Sequence, residues 1–380
     1  SIRFYDIELN EIQKEIQDIK WDSAASEKNG YEDYMLKEIY EQPNAIRETI
    51  GTSLNSNKVN LPLDDIDFSK FNKIYIVACG TAMHSAMATK YAFEKYCKIQ
   101  TEVDMASEFR YRNPLIDGKT LCIFITQSGE TADTIAALKL AKEKQSTTIA
   151  IANVIGSSIT RIADYVLYTH AGPEIAVAST KAYTCQVVLL IILSMYIAEK
   201  LFDGVENIDE KQELVKEIEN LKEEIRTLID KVKETLKTAD KVKLIADKVY
   251  KKEDMFFIGR GTDYAVSLEG SLKLKEISYI HSEAYAAGEL KHGPIALMEK
   301  GVIVVGIVTD KELTLKTVSN LEEVITRGAE VVAITNQEIN NEHLSNTIYI
   351  PECSSMISPI LSVIPLQLFA YYIAKAKKKC

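Results

Sequence analysis

The chain has no CxxC pair, no GxxxxGK[ST] or GxGxxG loop, no excess of basic residues and no very long apolar run. Each absence closes a class of function. The six cysteines, Cys79, Cys97, Cys122, Cys185, Cys353 and Cys380, lie far apart, so neither a zinc cluster nor a disulfide framework is indicated and a reducing cytoplasm is the simplest home. His84, His170, His281 and His343 show no metal-ligand spacing, and no metal or cofactor is expected. Without the two glycine fingerprints, nucleoside triphosphate and dinucleotide folds are not indicated. A net charge of -10 is the wrong sign for a nucleic-acid binder, which carries a basic stripe. Nothing resembles a signal peptide, and the longest apolar run, Val187 to Ala198, is too short for a bilayer and reads as a buried helix.

What is present begins with ordinary globular composition, 46% hydrophobic and 26% charged over 380 residues, enough for two domains of about 150 residues with connecting helices. The densest stretch is Leu121 to Thr134, LCIFITQSGETADT. Leu121 to Ile125 is a short apolar, β-branched run of the kind that forms a strand covered on both faces. Thr126, Gln127, Ser128, Gly129, Glu130 and Thr131 then put three hydroxyls, an amide and a glycine into six positions. Ala132 to Lys144 is rich in helix formers, so free amides and a positive dipole end face that loop and suit a phosphate monoester. The alternative is a plain strand-to-helix turn in which Ser128 and Thr131 are caps. The loop holds no lysine or arginine, so amides and hydroxyls would have to hold any anion.

In chain order, Ser1 to Asp22 alternates acidic and apolar residues without a core of its own. Tyr31 to Ile50 reads as a helix that breaks at Pro43. Strands are expected at Phe71–Ala78, Leu121–Ile125, Thr147–Ala152 and Tyr165–Tyr168, alternating with helices, which gives an α/β fold with a parallel sheet flanked by helices. Ligands in such sheets bind at the carboxyl ends of strands. Asp209 to Val249, charged and glycine-free, reads as connecting helices. The rest repeats the first part: FFIGRGT echoes IVACGT, AGE at Ala287 echoes ASE at Ala106, and VVAITN at Val331 echoes TIAIAN at Thr148. An internal duplication follows, with a site between copies. The expected division is 1–58 as linker and helix, 59–203 as the first copy, 204–241 as connecting helices and 242–380 as the second copy. Val308-Thr309-Asp310 replaces the anion loop in copy two.

Leu268 to His292 is the second dense stretch. Glu269, Lys273 and Glu276 stand at i, i+4 and i+7 on one helical stripe. A carboxylate beside an ammonium can move a carbon-bound proton while the cation steadies an enolate-like oxygen; the same spacing also describes a solvated surface pair. His292 lies in a loop shaped by Gly293 and Pro294.

ITQSGETADT, VASTKAYT (Val177 to Thr184), EGSLKLKEISYIHSEAYAAGELKHGPIAL (Glu269 to Leu297) and KEIYEQPNAI (Lys37 to Ile46) closely resemble the isomerase half of the glucosamine-6-phosphate synthase (glutamine:fructose-6-phosphate amidotransferase) family. The resemblance runs from about Gly30 to Lys375. It implies two tandem sugar isomerase (SIS) domains and conversion of fructose 6-phosphate plus ammonia to glucosamine 6-phosphate. It places Thr126, Gln127, Ser128 and Thr131 on the phosphate, Thr81 among the substrate-binding residues, and Val177, Ala178, Ser179 and Thr180 along the sugar. It makes Glu276 the base that shuttles a proton between C1 and C2, with Lys273 steadying the intermediate and Glu269 assisting. His292 is implied as the ring-opening acid/base of a neighbouring subunit, hence a homodimer.

The chain departs from the family pattern at Ala82 and Thr126, where serine is usual, and the first change removes a hydroxyl. The family also carries an N-terminal glutaminase domain and, past the position of Tyr372, a tail lysine that forms a Schiff base. The given sequence spans neither and ends in Ala376-Lys377-Lys378-Lys379-Cys380; either the tail continues past it or amino transfer is lost, and the chain as given is expected to aminate weakly. Two other readings stay open: a stand-alone amino-sugar-phosphate deaminase or deglycase, and a non-catalytic sugar-phosphate sensor.

Overall fold

The structure, a computed structural model, describes residues 2–13, 27–55, 58–205, 207–344 and 346–379. The N-terminal stretch expected to lack a core is described only up to residue 13, as two short exposed strands, β1 (Phe4–Tyr5) and β2 (Glu11–Ile12); its remainder lies outside the described residues. Helix α1 (Tyr34–Ser53) leads into a small hairpin, β3 (Leu54–Asn55) and β4 (Lys58–Val59).

Helix α1 does not break at Pro43, contrary to the sequence reading. Proline removes one amide donor, and the carbonyl four residues back loses its partner. Here that carbonyl, on Ile39, accepts from the Gln42 side chain at 3.0 Å, so the gap is filled and the helix runs on.

The first copy alternates strands and helices: β5 (Lys73–Ala78), α2 (Gly80–Ala92), β6 (Gln100–Met105), α3 (Ala106–Phe109), β7 (Thr120–Ile125), α4 (Ala132–Glu143), β8 (Thr147–Ala152), β9 (Tyr165–Tyr168) and α5 (Lys181–Leu201). Two connecting helices follow, α6 (Ile208–Leu236) and α7 (Ala239–Val249). The second copy comprises β10 (Asp254–Gly259), α8 (Thr262–Ser278), β11 (His281–Ala286), β12 (Ile303–Val308), α9 (Thr314–Thr326), β13 (Glu330–Thr335), β14 (Asn346–Tyr349) and α10 (Ser358–Ala376). Both sheets are five-stranded and parallel, in the orders β6-β5-β7-β8-β9 and β11-β10-β12-β13-β14. The strand order is the same in both, as duplication requires.

Alternation along the strands sets the layers. Ile74, Ile76, Ile123, Ile125, Ile149 and Ile151 face one way into the main core with α5; Tyr75, Val77, Phe124 and Ala150 face the other way, onto Ala137 and Leu138 of α4. In copy two Met255, Phe257, Val305 and Ile334 join the main core, while Ile258, Val304 and Ala333 pack on Leu321 and Val324 of α9. The two sheets therefore share one central helical layer, in which α2 packs against α8 and α5, and α10 against α8. Helices α5 and α10 are long and apolar enough to cross a membrane by length and composition. The run Val187 to Ala198 is thus part of a longer helix than expected, and its burial in the central layer, complete from Lys181 to Ala198, accounts for its apolarity.

Candidate functional site

Strand order reverses between β5 and β7, and ligands in open α/β sheets bind beyond the carboxyl ends of strands at such a point. The loops leaving those two strands, Cys79–Thr81 and Thr126–Thr131, line one cleft together with Ala82, Thr134, Ser179 and Gln186. The loop after β7 is folded by its own polar groups. The Gly129 amide donates to Thr126 Oγ1 at 3.2 Å, that hydroxyl lies 3.3 Å from Thr131 Oγ1, and the Glu130 amide donates to Ser128 Oγ at 3.2 Å. Gly129 sits at φ +72°, and a Cβ there would fall 1.9 Å from Ser157 Oγ; only glycine fits. No side chain caps α4, so Ser128 and Thr131 are not the caps that the plain-turn alternative requires. The amides of the first turn of α4 remain available at the positive end of its dipole. Among the described residues the Gln127 side chain has no protein partner. Among the described residues the cleft is lined by amides and hydroxyls and by no lysine or arginine.

The second constellation is not a solvated pair. Glu269 and Lys273 have no exposed side-chain surface, and Glu276 is one-third exposed. Lys273 Nζ lies 2.6 Å from Glu276 Oε2, donates to Thr81 Oγ1 at 3.0 Å and stands 3.4 Å from Glu269 Oε1. Thr81 donates in turn to Glu269 Oε1 at 3.1 Å, and His84 Nδ1 lies 2.7 Å from Glu269 Oε2. Burial alone would lower the Lys273 pKa; the carboxylates of Glu269 and Glu276 outweigh it and hold the ammonium above its usual range. Lys273 is thus a fixed cation at neutral pH, suited to steadying a developing oxyanion rather than attacking a carbonyl. Glu276, with one face open, is the solvent-accessible carboxylate of this set.

These features converge with sequence and fold comparison. A family model described as the SIS domain matches residues 67–196 and 248–376. The chain belongs to the SIS-domain family. A glutamine–fructose-6-phosphate aminotransferase (isomerizing) of Clostridium tetani is 53% identical over 99% of the chain, and that of Thermus thermophilus is 41% identical over 98%. The chain spans 62% and 61% of their respective lengths. Among solved structures, the C-terminal domain of glucosamine-fructose-6-phosphate aminotransferase from Francisella tularensis superposes with a TM-score of 0.87 at 39% identity, covering 93% of this chain and 99% of that one.

Within the SIS pair, Thr81, Thr126, Gln127, Ser128, Thr131 and Ser179 meet at the cleft of the first SIS domain. Ala178 is buried next to the cleft-lining Ser179, whereas Val177 is 98% exposed, and neither lines the cleft. Helix α1 and Glu174 shape that segment: Glu174 accepts from the amides of Thr180 and Ala182 and the Ser179 hydroxyl, and Glu38 from the amides of Ile175 and Ala176. His292 ends a 3-10 turn (Ala287–His292), is exposed, and makes no bond to Glu276, Lys273 or Glu269 among the described residues.

Sequence reasoning passed over His84 and Glu174. His84 carried a readable signal, since it stands one helical turn after Thr81 and shares its face. In the second SIS domain the counterpart of the anion loop is closed in a way the sequence did not reveal. The Thr309 amide donates to Asp263 at 2.8 Å and its hydroxyl donates to the same carboxylate. Burial pushes the Asp263 carboxyl up to about 6, against those two bonds. The donors a phosphate would use there already hold a carboxylate from α8. A larger cleft of about 790 Å³ opens nearby, lined by charges of both signs, Lys231, Lys311, Glu224 and Glu352 among them.

Proposed function

We propose that this chain is the isomerase half of a glutamine–fructose-6-phosphate aminotransferase, converting fructose 6-phosphate and ammonia to glucosamine 6-phosphate by ketose–aldose isomerisation with amination at C2. The observation that carries the reading is the double membership of Thr81. It lines the anion cradle and is also bonded to Lys273 and Glu269, so a short phosphate ester held at Ser128 and Thr131 extends directly toward the acid/base set.

In this reading the amides and hydroxyls at Thr126–Thr131 bind the phosphate and Ser179 meets the sugar. Glu276 takes a proton from C1 of the opened substrate and returns it to C2. The Lys273 ammonium, held by two carboxylates and a hydroxyl, stabilises the enediol-like oxygen between those steps. The exposure of His292 fits a residue that opens the ring in a neighbouring subunit, so the working unit is a homodimer. The full-length enzyme adds a glutaminase domain that supplies ammonia, works in the cytoplasm, and feeds hexosamine synthesis. A sensor would need the cradle but not a buried ammonium flanked by carboxylates.

The test is turnover on the full chain: interconversion of fructose 6-phosphate and glucose 6-phosphate, amination with ammonium, and ammonium release from glucosamine 6-phosphate. Isomerisation that is lost in Glu276→Gln, with glucosamine 6-phosphate still bound, is the expected result. Ammonium release without isomerisation would favour the deaminase reading, and binding without any turnover would favour the sensor.

A further inference from the structure

Glu269 is, with Lys273, fully enclosed in the site, with no exposed side-chain surface. A carboxylate removed from water is costly unless its charge is met and its lone pairs are bonded. Lys273, one turn along the same helix, does not meet that need by itself. Its short contact, 2.6 Å, goes to Glu276, and its distance to Glu269 is 3.4 Å, longer than a good charged hydrogen bond. The hydrogen bonds to Glu269 shorter than its contact with Lys273 come from the other copy. Thr81 takes Oε1 at 3.1 Å, and His84 takes Oε2 at 2.7 Å. His84 is itself buried and does not line the cleft. Among the described residues it is the sole hydrogen-bond partner of Glu269 Oε2.

We propose that His84 is a positioning residue for the acid/base set: by binding Glu269 from across the copy boundary it keeps that carboxylate from drawing Lys273 away from Glu276 and the substrate oxygen. The inference rests on the sugar-phosphate reading of the site and names a residue that reading does not use. The consequence is directional. With the Nδ1 donor gone, Oε2 is left unbonded in a closed space, and the nearest mobile cation is the Lys273 ammonium. A shift of Lys273 toward Glu269 reaches the phosphate cleft only through Thr81, because no bond connects His84 to Thr126–Thr131. Catalysis therefore suffers more than ground-state binding.

Geometry supplies a discriminating pair of variants. The side-chain nitrogen of asparagine falls near the position of Nδ1, and that of glutamine near Nε2. In the full chain, His84→Gln and His84→Leu are expected to lower kcat for hexose 6-phosphate isomerisation by about 100-fold, the scale of a 1 Å misplacement of a catalytic group, with KM within about twofold. His84→Asn should recover most of the lost rate. Wild-type turnover with kcat preserved in both H84Q and H84L, or with H84N no better than H84Q, would overturn the role of His84 and leave the sugar-phosphate reading standing. A wild-type chain inactive on every hexose phosphate would overturn that reading, and this role with it.

Discussion

The Lys273 ammonium donates to the Thr81 hydroxyl at 3.0 Å across 192 positions of chain. It is a bond between the two copies of the duplicated unit. Thr81 comes from the helix start beside the anion cradle, and Lys273 from a helix whose own copy has its cradle filled by Asp263. Helices α2 and α8 pack together in the shared central layer, so the halves of the site are registered by the core itself.

Removing the cation should cost both catalysis and stability. Lys273→Met leaves Glu269 buried with one fewer counter-charge, and breaking a buried pair from one side costs about 3–5 kcal/mol. We expect a lowered Tm and no measurable isomerisation, checked by calorimetry and a coupled assay. A variant as stable and active as the parent would show that the buried charges are balanced in some other way.

The cradle prediction concerns affinity alone. Ser128→Ala removes one hydroxyl donor to a charged oxygen, an effect of about 1–3 kcal/mol, with kcat at saturation little changed. Titration calorimetry with glucosamine 6-phosphate gives the number. An unaltered Kd would move the anion elsewhere.

Gly129→Ala tests the shape of the same loop. The position is left-handed, and the added methyl would meet Ser157 Oγ at 1.9 Å, so about 1–3 kcal/mol of strain is expected. Adding Ser157→Gly should relieve the clash but not the backbone strain, giving partial recovery of phosphate affinity.

Much of this was readable from sequence. Strands β8 and β9 fall where β-branched and aromatic runs placed them, and the three echoes between halves became two sheets of one topology. What escaped was non-local. Pro43 continues α1 because of a bond from Gln42, and copy two is closed by Asp263 from another element; neither bond leaves a periodic trace in sequence. Glu269 and Lys273 read equally as a surface pair until their burial was known.

A pH effect follows from Glu38. Burial pushes its carboxyl up from 4.5 to about 7, outweighing the bonds from Ile175 and Ala176. Its folded value stands above the unfolded one, so folding favours the protonated form. That contribution is complete below about 4.5 and is lost as pH rises to about 7. Glu38→Gln should narrow the difference in urea midpoint between pH 5 and pH 8. An unchanged difference would show that Glu38 titrates alike in both states.

The central claim is that one copy grips the phosphate while the other moves the proton. The most direct measurement is a crystal structure with glucosamine 6-phosphate bound. The account predicts phosphate oxygens within hydrogen-bond distance of Ser128 and Thr131, with C1 and C2 of the sugar against Glu276 and Lys273. A phosphate lodged instead in the larger cleft by Lys231 and Lys311, with Glu276 facing only solvent, would contradict it.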